Sequence, residues 1–150
     1  MPMDLILWRH AEAQDGVPDA ARRLTAKGQK QAEKMAAWLQ ARIHRPVRLL
    51  VSPATRTQQT AQALSQAFET VEEVGLNSSA KGILQATGWP HAEGTVIVVG
   101  HQPTLGQLAA LLLSGIEMDW NIKKGAVWWF QSSGGDSEPV LRAMITPKHV

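Results

Sequence analysis

Short unbroken apolar runs alternate along this chain with longer segments whose apolar residues recur every three or four positions. The first run is Leu5-Ile6-Leu7-Trp8, after Asp4; Val47 to Val51 form a second, and Thr95-Val96-Ile97-Val98-Val99 a third. Runs this short, rich in branched aliphatics, predict strands buried on both faces. Between the first two, Ala32, Met35, Leu39 and Ile43 share one stripe of a segment from Thr25 to Ile43, with Thr25 as its cap. Ser52 and Pro53 fit the cap and first position of a second helix, which keeps Thr57, Ala61, Leu64 and Phe68 on one face. Thr70 to Val74 predicts a further strand, and Ser79 to Thr87 a short helix stopped by Gly88-Trp89-Pro90. Pro103 opens an apolar helix through Leu105, Leu108, Ala109 and Leu112. Ala126 to Gln131 and Pro139 to Ile145 predict a hairpin around the turn cluster Ser132-Ser133-Gly134-Gly135-Asp136. Strands alternating with helices imply a mostly parallel central sheet covered on both faces, with a late antiparallel element. The expectation is a three-layer α/β/α sandwich, with residues 1–150 forming a single domain.

Polar residues break each of the three runs at the same end. Arg9 and His10 follow the first, Ser52 to Arg56 the second, and Gly100-His101 the third. Ligands of open α/β sheets bind at the carboxyl ends of the strands. Arginine offers an oxyanion a planar fork of donors, and histidine is a nucleophile or proton carrier near neutral pH. Arg56 falls in the first turn of its helix, where a cation opposes the helix dipole and a bound anion would offset it. Taken singly, His10 also fits a structural hydrogen-bonder and Arg56 a solvent-facing side chain. Taken together, two histidines and two arginines at three strand ends suggest one pocket for phosphate chemistry.

Composition narrows the alternatives. With 150 residues, 44% of them hydrophobic, the chain can bury a core. It has no cysteine, so disulfides, thiol nucleophiles and zinc-thiolate sites are excluded, and a reducing, cytoplasmic setting is expected. No signal peptide and no membrane span of roughly 20 apolar residues are visible. The net charge is +2, and the densest basic groups are Arg22-Arg23 and Lys123-Lys124, so neither a nucleic-acid stripe nor a membrane partner is expected. There are six tryptophans and no tyrosine. Trp128-Trp129 falls in a predicted strand, where one ring faces the core and the other the opposite side; base stacking is the alternative. His44, His91 and His149 sit at a helix end, in a loop and in the tail. A metal site built from His10, His91 and His101 would lack both a His-Glu pair at helical spacing and an aspartate cluster. No metal and no other cofactor is expected.

Four motifs in order carry a family resemblance. Trp8-Arg9-His10-Ala11-Glu12 resembles the Arg-His-Gly signature of the histidine phosphatase superfamily, also called phosphoglycerate mutase-like. Arg23-Leu24-Thr25-Ala26-Lys27-Gly28 resembles its Leu-Thr-x-x-Gly helix start, Ser52 to Ala61 its second arginine motif, and Gly100-His101-Gln102-Pro103 its second histidine motif. The short length and lack of a long insertion are most similar to the SixA-type phosphohistidine phosphatases. Two departures stand out. Ala11 replaces the signature glycine, whose backbone carbonyl orients the histidine. The catalytic carboxylic acid of many members has no clear counterpart: Asn77 falls near its expected place, and Glu72, Glu73 and Glu93 are the weak candidates.

The resemblance implies a phosphoglycerate mutase-like fold and two-step transfer. Neutral His10 attacks phosphorus and becomes a phosphohistidine, which water cleaves. Arg9, Arg56 and His101, the last able to carry a proton, hold the phosphoryl oxygens. Arg23, which could widen a basic rim, and Glu12, which could orient an arginine, are further substrate-site candidates. The missing acid favours a donor whose leaving group needs little help. An alkoxide must be protonated as it leaves, whereas an imidazole has a pKa near about 6.5. Three function classes follow: a phosphatase for phosphohistidine on a signalling or phosphotransfer protein, such as a histidine phosphotransfer domain; a phosphomonoesterase for a small phosphorylated metabolite; and a non-enzymatic phosphate- or phosphoprotein-binding module.

Overall fold

The computed structural model describes residues 2–132 and 138–150. Its centre is the first apolar run. Strand β1 (Met3–Arg9) pairs in parallel with β4 (Gly94–Gly100) on one side and antiparallel with β5 (Val127–Ser132) on the other. Strand β2 (Val47–Val51) lies parallel beside β4, a two-residue β3 (Glu69–Thr70) flanks β2, and β6 (Val140–Ile145) pairs antiparallel with β5. The six-stranded order is β3-β2-β4-β1-β5-β6, so β1, β4 and β2 end side by side at one edge. This matches the mixed sheet expected from the sequence, including the late antiparallel hairpin. Residues 133–136 of the predicted turn cluster lie outside the described residues.

Helices cover both faces, and the two-residue alternation of a strand divides β1 between them. Ile6 and Trp8 meet Met35, Ala36 and Leu39 of α1 (Ala26–Gln40) and Ala61 of α2 (Thr55–Gln62). Met3, Leu5 and Leu7 meet Ile83 of α3 (Ala80–Thr87) and Leu105, Leu108 and Leu112 of α4 (Thr104–Ser114). The adjacent tryptophans follow the same rule. Trp129 is buried on the α1 side, edge-on to Trp38, and Trp128 packs beside Trp120 on the α4 side. Thr25 caps α1 as predicted, and Ser79, expected as the first residue of the next helix, instead caps α3; each accepts an N–H three residues on, and Gly88 closes α3 with a left-handed φ of 78°.

Three predicted elements are corrected. The second helix begins at Thr55 rather than Pro53 and ends at Gln62. Leu64 and Phe68 still pack against the core, but from the turn beyond it, where the Ser65 hydroxyl accepts the Ala67 N–H. The strand expected over Thr70 to Val74 shrinks to β3, followed by a 3-10 turn from Glu72 to Val74 that buries Val74. Helix α1 stops at Gln40, short of Ile43.

Candidate active site

Parallel pairing brings three chain ends to one sheet edge, with His101 after the central β4, His10 after β1 and Ser52 after β2. All three are buried, as is Arg56 from the first turn of α2. The backbone at His10 is held from both neighbours. Its N–H donates to Gly100 O at 3.1 Å, and its carbonyl accepts the Gly125 N–H at 2.9 Å.

The side chain of His10 is fixed by its own successor. Nδ1 lies 2.8 Å from the Ala11 carbonyl, so the ring carries its proton on Nδ1 and leaves a lone pair on Nε2. Nε2 accepts from Arg56 Nε at 3.4 Å. Alanine in place of glycine does not disturb this arrangement, since it contributes only its main-chain carbonyl and no non-glycine residue among the described residues has a positive φ. Burial is the chief reason that His10 resists protonation, and nearby Arg56, His101 and Arg9 add repulsion; its pKa falls to about 3, against an opposing pull from the Ala11 carbonyl. A neutral ring with an unprotonated Nε2 is the form a nucleophile needs.

His101 is also neutral at pH 7, its pKa lowered to about 4 first by burial and then by Arg56. This corrects the option of a resting imidazolium. Its Nε2 lies 2.8 Å from Ser52 Oγ, and its Nδ1 is buried without a partner among the described residues. The two imidazole rings stand 5.5 Å apart. Ser52, read from the sequence as a helix cap, is therefore a strand-end residue that braces His101, while Ala54 holds the cap position of α2.

Arg56 is anchored at both ends. Besides His10, it donates through Nη1 to the Asp19 carbonyl at 2.8 Å and through Nη2 to the Asp19 carboxylate at 3.1 Å. Arg9 donates through Nη1 to the Ile122 carbonyl at 2.8 Å, and its buried Nε has no partner among the described residues. Burial and then repulsion from Arg56 lower its pKa. The edge thus gathers positive charge, donors and a lone pair.

The remaining candidates are placed differently. Glu12 accepts from the Thr25 hydroxyl at 2.7 Å and gives its N–H to Gln31, so it ties the loop after His10 to α1 and orients no arginine. Arg23 is exposed; its neighbour Arg22 is the one whose charge reaches His101. Glu72 and Asn77 line a cleft of about 270 Å³ with Ser52, Pro53 and Ala20. Glu93 lies by Pro2, Asp4 and His44, at the opposite end of the strands. Asp19 and Arg22 were missed in the sequence. No three His, Cys, Asp or Glu side chains among the described residues form a metal-binding group.

The chain belongs to the histidine phosphatase superfamily. The model of its branch 1 matches residues 5–77, which include His10 and Arg56. Among curated proteins the chain is 32% identical over 126 residues to the phosphohistidine phosphatase SixA homolog of Haemophilus influenzae, covering 73% of this chain and 77% of that one. It is equally 32% identical over 126 residues to phosphohistidine phosphatase SixA of Escherichia coli K12, covering 75% and 76%. Among solved structures, the protein histidine phosphatase SixA complexed with tungstate superposes with a TM-score of 0.78 at 24% identity, over 97% of this chain and 98% of that one. That likeness bears on the fold, and the six-stranded mixed sheet agrees with it.

Proposed function

We propose that this chain hydrolyses phosphohistidine on a phosphorylated protein through a phosphohistidine of its own. The observation that carries the reading is the Nδ1 contact of His10 with the Ala11 carbonyl, which leaves Nε2 unprotonated beside Arg56. Nε2 of His10 attacks phosphorus, and a new N–P bond forms as the N–P bond to the substrate's imidazole breaks. The departing imidazole takes its proton from water. Arg9, Arg56 and a ring N–H of His101 hold the phosphoryl oxygens and offset charge that develops in transfer. A water oxygen then attacks phosphorus as the His10 Nε2–P bond breaks; the proton that this water sheds neutralises the hydroxide left by the first step, phosphate departs, and His10 returns neutral with its proton on Nδ1.

The curated SixA relatives support a phosphohistidine substrate, and the absence of an evident carboxylic acid at the site among the described residues supports a leaving group that needs little protonation. A phosphoprotein partner in a reducing, cytoplasmic setting fits both. The test is a substrate panel at neutral pH comprising a phosphorylated histidine phosphotransfer domain, phosphoramidate, an aryl phosphate and an alkyl phosphate. The N–P substrates are expected to be cleaved about 10²- to 10⁴-fold faster than the alkyl ester, the scale of one absent proton donor. An alkyl phosphate as the best substrate would overturn the reading and make Glu72, in the cleft beside Ser52, the first residue to replace.

A further inference from the structure

One carboxylate stands among the cations of the strand edge. Asp19 belongs to a 3-10 turn, Asp19–Ala21, that buries none of its residues. Its side chain is 58% exposed, whereas that of Arg56 is only 5% exposed. Among the described residues, two of the three hydrogen bonds made by this buried guanidinium end on Asp19, one at its carbonyl and one at Oδ2. Oδ1 accepts from Arg22 Nε at 3.1 Å. The same carboxylate opposes the effect of Arg56 on His101, so its charge reaches the second histidine.

The exposed carboxylate can be given up to solvent at little cost on its own side, whereas the buried guanidinium needs a partner, so an arriving oxyanion can take the place of Asp19 where water alone would not. The groups on Asp19 are also those that a phosphoryl oxygen would seek, since carboxylate and phosphate use the same fork of N–H donors. We propose that Asp19 is a resident competitor for the oxyanion, occupying part of the Arg56 fork and so keeping free phosphate, the product, weakly held. The inference rests on the phosphatase reading of the site. Whether the carboxylate swings aside or stays, an arriving anion meets its negative charge on the same guanidinium. Asp19 does not supply the missing acid: its hydrogen bond to Arg56 holds its pKa below the ordinary aspartate value, so it remains ionised.

The test is calorimetric binding of inorganic phosphate to the parent, Asp19→Asn and Asp19→Ser at low ionic strength. Both variants remove the charge, and two different side chains guard against one that fails to fold. Phosphate is expected to bind about tenfold more tightly to each, with an equal drop in the product-inhibition constant, and the gain is expected to shrink in about 0.5 M salt. A residue that merely propped Arg56 would, when removed, weaken phosphate binding; equal or weaker binding in the variants therefore overturns the proposal. Failure of the phosphatase reading would look different. The parent itself would then bind no phosphate and carry none on His10.

Discussion

Ser52 Oγ and His101 Nε2 lie 2.8 Å apart in a fully buried contact across two parallel strands. The same hydroxyl oxygen accepts the Ala54 N–H at 3.2 Å, so one side chain shapes the turn into α2 and braces the second histidine. Ser52→Ala leaves a buried ring nitrogen unpaired. A destabilisation of about 1–3 kcal/mol is expected, with a loss of phosphate affinity, while Ser52→Thr restores both in part. Urea unfolding of the three proteins decides it; an alanine variant as stable as the parent would show that the contact carries no weight.

His10→Ala should lower turnover by at least about three orders of magnitude. The variant keeps Arg9, Arg56 and His101, so phosphate should still raise its melting temperature. Acid-labile phosphate should be trapped on the parent and be absent from the variant. Substantial turnover by the variant would remove His10 as nucleophile.

Stability should fall on mild acidification. The unfolded chain protonates His10 and His101 near about 6.5, whereas in the fold they resist protonation down to about 3 and about 4. Below pH 6.5 the unfolded state therefore binds more protons, and stability declines as pH falls from there towards 4. The Asp19 pair acts in the same direction at lower pH, since its depressed pKa adds stability that is lost as the carboxylate protonates. Denaturation midpoints measured from pH 7.5 to 5 should slope downward, and His101→Asn should flatten the slope. A level profile in the parent would contradict the burial of these rings.

Gly28→Ala should be costly although it lies on a helix, where alanine is ordinarily preferred. A Cβ at Gly28 would come 2.0 Å from the Glu12 carbonyl oxygen, which itself accepts the Thr25 N–H. The clash is with main chain, so α1 must shift away from the loop that follows His10. About 1–3 kcal/mol of destabilisation is expected by thermal unfolding, together with reduced turnover. Gly115→Ala, which meets nothing within 4 Å but has a φ of +80°, isolates the backbone effect from the steric one.

What could be read from the chain depended on whether a residue lies next to a periodic element. His10 and His101 follow strands whose branched aliphatic runs leave little choice of conformation, so their place at the edge was visible. Ser52 also follows such a strand, yet Ser-Pro before a helix reads as a cap. The signal that could have found it is position: it ends the strand beside the one that His101 ends. Asp19 is harder, because it lies in a stretch with no apolar period, and its partner Arg56 is 37 residues away. Arg22 and Arg23 differ only in which side of an extended segment they occupy. That choice is set by the pairing of Ala13 with Leu24, a contact that no local pattern announces.

The hydrogen bonds that clamp the main chain of His10 between Gly100 and Gly125 bear on how the protein breathes. To expose the His10 amide, the sheet must separate at its centre, where β1 has neighbours on both sides. That amide should exchange with deuterium only through global unfolding, whereas the amides of the unburied turn at Asp19–Ala21 should exchange within early time points. A visiting phosphoprotein would thus meet an immobile acceptor atom beside a yielding rim, with adjustment to the visitor confined to the rim.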